Sequence, residues 1–374
     1  MRKVKVLNII ADLSVAGAQT VVMNLAKKFI NHPEVDYEIL AVTRSNDQKY
    51  EKEAERLGIK VIYSEFTPSK SKVVIVRALS NWLRYQIAIF KCIKKNKPDV
   101  IHTHVTPILK YSIIPVFLCK IKKKFHTLHS DPYALSFACK MLITIAVKWL
   151  DYYPICVTEE QAEKAEKRYG IGKCSVIHNG VEISDYTNNN YDRLEIRNEL
   201  GIEESCRLIG YVGRLNAIKN LDFLINIFEK YSKANNNSKL MIIGDGPERE
   251  HLCNLVKDYG IEDKVLFLGV RDDVIRLFKA MDVFMIVSHH ESSSIVTVEA
   301  QLSNVYCVIA DSIPSNVIIS DDVCVLRLDD PIDVWVAALV NHKKNVSVVN
   351  SYKEFDINNA TEKLRKFYMN CVGE

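Results

Sequence analysis

Two glutamates, Glu291 and Glu299, stand in a segment whose pattern predicts a strand, a loop and a helix. The apolar run 283–287 predicts a buried strand, and the stretch after the first glutamate predicts a helix. One carboxylate would then lie at the strand end and the other inside the helix. The helix N-terminus between them would offer free N–H groups and a positive dipole end. This arrangement suits an anionic diphosphate flanked by hydroxyl-rich groups, as in a nucleotide sugar.

Two cations follow the first predicted strand of the second half, residues 207–212. Arg214 falls at a strand-to-helix turn, and Lys219 falls at the start of the next predicted helix. Arginine can bind a diphosphate through bidentate hydrogen bonds from its guanidinium, and lysine can bind it as a point charge. Taken alone, both read better as solvated surface charges. Together with the two glutamates and the glycines nearby, they indicate stabilisation of a diphosphate leaving group.

Two glycines stand at predicted strand-to-helix junctions. Gly17 would let a phosphate approach the backbone at a helix N-terminus. Gly244, followed by Pro247, marks another junction that could form the wall of a base pocket. No G-x-G-x-x-G occurs after the first strand, which argues against a nicotinamide dinucleotide.

Four histidines in the first half cluster at predicted strand ends: His102, His104, His126 and His129. His102 and His104 would share one face of a strand, so a common metal ion is one interpretation. No cysteine or carboxylate stands at a recognisable spacing to complete a zinc shell. We therefore expect ordinary polar residues, with His129 facing a cleft.

The composition indicates a globular chain of two domains. Its 374 residues exceed one ordinary core, and the formal charge of +4 gives no reason to expect nucleic-acid binding. The ten cysteines include no C-x-x-C pair, which argues against a zinc or disulfide framework. Residues 1–10 predict a first strand rather than a signal segment, and no run is long enough for a membrane span. We expect a cytoplasmic protein that could rest on the inner face of the cell membrane.

A basic cluster could make that membrane contact. It consists of four lysines: Lys120, Lys122, Lys123 and Lys124. The stretches 113–118 and 134–150 beside it are largely apolar. A basic and apolar patch suits an anionic membrane surface. A buried helix flanked by solvated lysines explains the same pattern equally well.

Short apolar runs alternate with amphipathic ones along both halves, which predicts α/β domains with parallel sheets. The alternation falters between them, where the chain is polar. We predict an N-terminal Rossmann-like domain at 1–182, a linker at 183–206 and a second such domain at 207–355. The last predicted helix of the second domain spans 332–342. Residues 356–374 would form a C-terminal helix packing back on the first domain.

Eight short motifs together resemble glycosyltransferase family 4, over nearly the whole chain. In order they are 16–19 (AGAQ), 126–129 (HTLH), 179–182 (NGVE), 212–215 (VGRL) with 219–220 (KN), 244–248 (GDGPE), 268–273 (LGVRDD), 280–282 (AMD) and 291–300 with both glutamates. Each is weak alone, but their order and spacing are specific. The resemblance is strongest to bacterial enzymes of capsule and exopolysaccharide synthesis. It implies the GT-B fold, in which two doubly wound domains face a central cleft.

The resemblance also implies roles for residues of this chain. Arg214 and Lys219 would hold the donor diphosphate, Glu299 the ribose hydroxyls and Glu291 the donor sugar. His129 would lie near the reacting centre, so the implied catalytic set is Glu291, His129, Arg214 and Lys219. The implied donor-binding set is Gly17, Arg214, Lys219, Gly244, Glu291, Ser293, Ser294, Ile295 and Glu299. No metal or other cofactor would be needed, because the two cations and the helix dipole stabilise the diphosphate.

The chain departs from the family pattern at three places. Serines fill 292–294, where relatives have a glycine-containing segment, and Asn304 stands in a helix-end segment where relatives have glycine. Ala16 replaces the first glycine of the opening pair. Donor identity and catalytic rate are therefore the open points.

The implied activity is a retaining transfer of a sugar from a nucleotide sugar, of the UDP type, to a lipid-linked saccharide in surface polysaccharide synthesis. Two alternatives remain open. A related GT-B enzyme, such as a nucleotide-sugar epimerase, would need no acceptor. A degenerate scaffold would bind the nucleotide sugar without turning it over.

Overall fold

The computed structural model describes residues 2–45, 48–187, 190–340 and 350–370. The chain divides into two units. The first takes the residues up to Gly180 together with the segment that begins at Ile357, and the second takes Val181–Asp356. Each unit is an α/β domain built on a parallel sheet. The prediction of two Rossmann-like domains is therefore confirmed.

The first unit alternates strands and helices. Its strands are β1 (Val4–Ile10), β2 (Val35–Ala41), β3 (Val61–Tyr63), β4 (Val100–His104), β5 (Lys123–Leu128), β6 (Tyr152–Cys156) and β7 (Ser175–Val176). Its helices are α1 (Gly17–Phe29), α2 (Lys49–Leu57), α3 (Val74–Asn96), α4 (Leu109–Leu118), α5 (Phe137–Trp149) and α6 (Glu159–Tyr169). The strands pair in the order β3-β2-β1-β4-β5-β6-β7, all parallel.

The sheet of the first unit is covered on both faces, since β1, an inner strand, has apolar side chains on both sides. Val6 and Ile10 of β1 pack into the cluster with α1, and Leu7 and Ile9 pack into the opposite cluster with α3 and α4. Continuous apolar strands are typical of parallel sheets buried between helices. Asn8 is a polar residue of this strand and is fully buried.

The second unit continues the numbering. Its strands are β8 (Arg207–Val212), β9 (Ser238–Ile243), β10 (Val265–Gly269), β11 (Val283–Ile286), β12 (Tyr306–Ala310) and β13 (Val323–Leu326). Its helices are α7 (Ile183–Thr187), α8 (Arg193–Glu199), α9 (Leu221–Ala234), α10 (Arg249–Asp258), α11 (Val274–Ala280), α12 (Ile295–Leu302) and α13 (Ile332–Val340). The strands pair in the order β10-β9-β8-β11-β12-β13, so the order reverses between β8 and β11. Such a switch point is where doubly wound sheets bind ligands.

The segment 183–206, for which the sequence predicted a linker, contains α7 and α8. Arg197 of α8 is fully buried and donates to the carbonyl of Ala280 at 2.7 Å. Asp282 accepts from Arg193 at 2.7 Å and from the backbone N–H of Leu208 at 2.8 Å. These polar bonds attach α8 to the carbonyl end of α11 and to the start of β8. They add to the apolar packing of Ile196 and Ile202, which are buried in the core of the second unit.

The last described helix, α14 (Ile357–Met369), belongs to the first unit. It contacts α1, and Tyr368 forms a hydrogen bond of 2.7 Å with Nδ1 of His102. Arg365 pairs with Glu34 at 2.8 Å. The helix predicted at 332–342 is described as far as Val340, and its last two predicted residues lie outside the described residues.

Candidate functional site

Three loops of the second unit follow adjacent strands at the switch point, after β9, β8 and β11. The first two loops touch, since the N–H of Leu215 donates to the carbonyl of Asp245 at 3.0 Å. Gly244 has a φ of 132°, and a Cβ there would lie 1.9 Å from the carbonyl oxygen of Gly213. Only glycine fits this position. Gly244 therefore shapes the loop that carries Arg214.

The sequence-predicted residues Lys219 and Glu291 meet in the structure. Lys219 donates to Oε1 of Glu291, and the hydroxyl of Ser288 donates to the same oxygen at 2.9 Å. The two side chains of the ion pair are 20% and 12% exposed. Lys219 was predicted at the start of the next helix, but it ends a 3-10 turn at Ala217–Lys219, two residues before α9 begins at Leu221. The pair places a cation and a carboxylate together beside the ends of β8 and β11.

Arg214 lies in the loop after β8 and is exposed. Its carbonyl accepts from the buried hydroxyl of Tyr211 at 3.2 Å, which anchors the backbone at this point. Within the described part of the chain, no ion pair of its guanidinium is recorded. A fixed backbone and an open guanidinium suit the binding of an external anion.

The loop between Glu291 and α12 contains the unusual serines. Ser294 is buried, and its hydroxyl bonds that of Thr297 at 2.8 Å. The hydroxyl of Ser293 is buried with no hydrogen-bond partner among the described residues. Helix α12 begins at Ile295, as the sequence predicted. A buried hydroxyl without a partner, beside a helix N-terminus, is a group that a ligand can satisfy.

Glu299 is the fifth residue of α12 and is partly buried. Burial raises the pKa of its carboxyl to about 7, and a hydrogen bond from Tyr186 opposes part of this rise. Tyr186 lies in α7, within the segment that was predicted to be a linker, so no sequence pattern indicated this contact. The carboxyl titrates near neutral pH and would gain from a ligand whose hydroxyls donate to it.

Gly17 opens α1 in the first unit, after the N-cap residue Ala16. A Cβ at Gly17 would have no heavy atom within 4 Å. The helix has no side-chain cap at this end, so its first N–H groups are available. The fold itself does not require glycine here.

The four histidines do lie together, in β4 and at β5. His102 bonds Tyr368 and Thr127, and His126 bonds Thr103 at 2.9 Å. Nδ1 of His104 lies 3.2 Å from Nε2 of His129. Burial lowers the pKa of His126 to about 3 and of His129 to about 4. Over the residues that the structure describes, no group of three or more His, Cys, Asp or Glu side chains could hold a metal ion.

The four lysines of the predicted basic cluster differ in their positions. Lys120 and Lys122 are exposed, whereas Lys123 and Lys124 begin β5 and are partly buried. Burial lowers the pKa of Lys124. Phe117 and Leu118, just before the cluster, are exposed. No described helix is long and apolar enough to cross a membrane.

Helix α3 has a larger exposed apolar surface, which was not predicted from the sequence. Ile75, Leu79 and Leu83 recur at intervals of four, and each is more than half exposed. Arg77 and Arg84 are exposed on the same helix. Helix α4, with Phe117 and Leu118 exposed at its end, packs beside α3. The four-residue spacing of these apolar residues is present in the sequence, but such spacing ordinarily predicts a helix face that is buried.

Asn304 has a φ of 59°, the left-handed conformation expected for a helix end that has lost its glycine. This departure from the family pattern therefore leaves the local backbone intact.

Comparisons with known proteins cover both units. Residues 15–185 match the model of Glycosyltransferase Family 4, and residues 192–350 match that of Glycosyl transferases group 1. EpsF of Bacillus subtilis, named as a glycosyltransferase, is 24% identical over 90% of this chain and 86% of its own. A UDP-Gal:α-D-GlcNAc-diphosphoundecaprenol α-1,3-galactosyltransferase of Escherichia coli is 28% identical over 76% of this chain and 79% of its own.

Solved structures show the same fold at lower identity. HepE of Anabaena, crystallised with UDP-glucose, superposes with a TM-score of 0.77 at 18% identity, over 98% of this chain and 99% of its own. Sucrose-phosphate synthase from Thermosynechococcus elongatus superposes with a TM-score of 0.77 at 16% identity, over 98% and 99%. The protein is a glycosyltransferase of the GT-B type. Within that class its resemblance is to family 4.

Proposed function

We propose that the protein transfers a sugar from a UDP-sugar to a lipid-linked saccharide, with retention at the anomeric carbon. The observation that carries this proposal is the Lys219–Glu291 pair, together with the exposed Arg214 in the loop after β8. The names of two relatives support the donor and the acceptor. The Escherichia coli relative takes UDP-Gal and an undecaprenol-linked sugar, and HepE was crystallised with UDP-glucose.

In this reaction the anomeric carbon exchanges its bond to the diphosphate for a bond to an acceptor hydroxyl, whose proton leaves with the diphosphate. Arg214 and Lys219 would neutralise the charge that develops on the leaving group. Preorganised cations of this kind act most strongly on charge that appears in the transition state. They make a resident metal ion unnecessary in this proposal, in which the protein uses no cofactor.

The family resemblance assigns the remaining predicted residues to binding of the donor. Glu299 would accept from ribose hydroxyls, Glu291 would contact the sugar, and the loop of Ser293 would approach the diphosphate. Gly244 keeps the loop of Arg214 in place, and Ile295 begins the helix whose N–H groups point toward the donor. From the first unit, Gly17 would contribute backbone N–H groups and His129 a contact to the sugar. These roles come from the family resemblance.

The apolar and basic surfaces of the first unit suggest how the protein reaches a lipid-linked acceptor. Relatives that act on an undecaprenol-linked sugar must reach a lipid. We propose that the α3 face, together with Lys120 and Lys122, contacts an anionic membrane, with smaller contributions from Lys123 and Lys124. Surface polysaccharide synthesis is the setting that this acceptor class suggests.

The decisive variant is Lys219→Ala. We expect a loss of about 10²–10³ in kcat, because a cation aimed at the leaving group is removed. Lys230→Ala is the matched control: Lys230 pairs with Asp333 at 2.7 Å elsewhere in the second unit, and this variant should keep full activity. Turnover is measured as UDP released with the lipid-linked acceptor present, and folding by thermal melting. Near-normal turnover of Lys219→Ala would contradict the proposal.

The same assay separates the two alternatives. Release of UDP, of free sugar or of an epimer at the same rate without acceptor would favour the epimerase-type enzyme. UDP-sugar binding by the native protein with no turnover on any lipid-linked acceptor would favour the scaffold. The serines at 292–294 are the feature that motivates the scaffold, and the intact Lys219–Glu291 pair argues against it.

A further inference from the structure

A chain of hydrogen bonds crosses four adjacent strands of the first unit, from β2 to the end of β5, and ends at His129. Asn8 of β1 donates from Nδ2 to the carbonyl of Glu38 at 3.3 Å. Oδ1 of Asn8 lies 3.3 Å from Nε2 of His104, at the end of β4. Nδ1 of His104 lies 3.2 Å from Nε2 of His129, which follows β5. Asn8 and His104 are almost fully buried.

The direction of this chain follows from its first bond. A backbone carbonyl can only accept, so the amide nitrogen of Asn8 must face Glu38 and its oxygen must face His104. An amide oxygen can only accept, which places the proton of His104 on Nε2. In a neutral imidazole the other nitrogen is then an acceptor. Nε2 of His129 must therefore carry a proton and donate to Nδ1 of His104.

The surroundings keep both rings neutral. His102 stacks on His104 with ring centroids 4.2 Å apart, and His126 lies nearby. Burial lowers the pKa of His104 well below its usual range, and neighbouring imidazoles lower it further. The carboxylate of Glu38 does not counter this, because it pairs with Lys5 at 3.0 Å and with Lys60. A charged His104 would carry two N–H groups and could not accept from His129.

We propose that Asn8 and His104 are positioning residues that hold His129 in its Nε2–H tautomer, so that Nδ1 accepts a hydrogen bond from a substrate hydroxyl. Nδ1 has no hydrogen bond recorded among the described residues, and His129 is partly exposed. The hydroxyl is assigned to the sugar of the donor or acceptor, and that assignment rests on the proposed function. The tautomer depends only on the hydrogen bonds of the first unit.

The tautomer is measured directly by nitrogen NMR of the full chain with ¹⁵N-labelled histidine. In the native protein we expect His129 and His104 each to show a protonated Nε2 and an unprotonated Nδ1 near pH 7. A protonated Nδ1 on His129 would overturn the proposal without any variant.

Two substitutions at His104 then test its role. Gln can donate to Asn8 and accept from His129 in one geometry, so His104→Gln should preserve the tautomer. His104→Leu removes the acceptor, and His129 should then populate both tautomers. His126→Gln is the matched control in the same cluster and should leave the tautomer unchanged. An unchanged tautomer of His129 in His104→Leu would contradict the proposal that His104 sets this tautomer.

Activity gives a readout that a merely structural role would not produce. We expect His104→Leu to lose about tenfold in kcat/KM for the UDP-sugar, the scale of one misplaced hydrogen bond. Affinity for UDP, which lacks the sugar, should stay unchanged, and His104→Gln should restore turnover. Equal losses of UDP and UDP-sugar binding, or native turnover in His104→Leu, would overturn the positioning role. If the native protein has the expected tautomer but no transferase activity, the proposed function fails and the tautomer assignment stands.

Discussion

At the scale of single residues, two glycines show how a site constraint differs from a fold constraint. The fold itself requires glycine at position 244, because a Cβ there would lie 1.9 Å from the carbonyl oxygen of Gly213. A Cβ at Gly17 would meet no atom of the described residues within 4 Å, so the described part of the fold does not require glycine there. If Gly17 is needed, the need comes from a ligand that approaches the N-terminus of α1.

Gly17→Ala tests this difference. We expect the fold to be unaffected or slightly more stable, because alanine is favoured over glycine in a helix. Transferase activity should fall at least tenfold, because the added methyl group would hold the diphosphate away from the helix N–H groups. Thermal melting and kcat/KM for the UDP-sugar are the measurements. Gly172→Ala is the control, since a Cβ there also meets nothing within 4 Å. Full activity of Gly17→Ala would remove Gly17 from the donor site.

Glu299 predicts a pH dependence of donor binding. Its pKa, raised by burial to about 7, means that half of the carboxyls are protonated at neutral pH. Ribose hydroxyls donate to the ionised form, so binding should release a proton and strengthen with rising pH. We expect affinity for UDP-glucose, which does not itself titrate in this range, to rise roughly tenfold from pH 6 to pH 8.

Calorimetry in buffers of different ionisation enthalpy measures both the affinity and the proton release. Glu299→Gln cannot titrate, so its binding should be weaker at pH 8 and flat with pH. The pH dependence of the stability of the ligand-free protein gives a second test of the direction of this pKa shift. Because the folded pKa of about 7 lies above the unfolded value of 4.5, this carboxyl should make the fold less stable as pH rises between these two values, and its contribution should level off above the folded pKa. A native affinity that is constant from pH 6 to pH 8 would contradict the ribose contact.

At the scale of elements, the strand, loop and helix from β11 to α12 were predictable, and the contacts around them were not. Apolar runs identify buried strands of parallel sheets, and α12 begins at the predicted residue. The ion pair of Lys219 and Glu291 joins residues 72 positions apart, and periodicity carries no information on such pairings. Tyr186 could not be found either, because it lies in a segment whose polarity indicated a linker. The family resemblance assigned the roles of these residues, and among them the structure shows the contact between Lys219 and Glu291.

Ser293 tests whether the unusual serine loop binds the donor. Its buried hydroxyl has no partner among the described residues, so Ser293→Ala should not destabilise the fold and could stabilise it by about 1 kcal/mol. If the donor satisfies this hydroxyl, affinity for the UDP-sugar should fall about tenfold. Ser294→Ala is the contrasting variant, because it removes the bond to Thr297 and should lower the melting temperature. Unchanged donor affinity in Ser293→Ala would show that this hydroxyl does not contact the donor.

At the scale of the whole molecule, the sequence predicted two doubly wound domains because both sheets consist of short apolar strands separated by helices. It could not predict which helix faces stay uncovered. Four-residue apolar spacing on α3 is the usual mark of a buried face, yet Ile75 is 79% exposed. Exposed apolar side chains next to arginines form the kind of surface that binds at a lipid interface. The structure thus adds the exposed face of α3 to the lysine cluster as a second surface on which the proposed membrane contact can be tested.

We expect membrane binding by these two surfaces to respond differently to salt, which separates the contribution of each surface. Charge attraction is screened within about 10 Å at 0.1 M salt, whereas burial of leucine in lipid is not. If α3 inserts, Leu79→Ser combined with Leu83→Ser should reduce co-sedimentation with anionic vesicles at both low and high salt. Replacing Lys120 and Lys122 by Gln should reduce it mainly at low salt, by about 1 kcal/mol for each lysine. Lys123→Gln with Lys124→Gln is the matched control and should have a smaller effect, because these two side chains are partly buried. Native binding by the leucine variant at high salt would exclude insertion of α3, and binding that no variant changes would contradict the membrane contact as a whole.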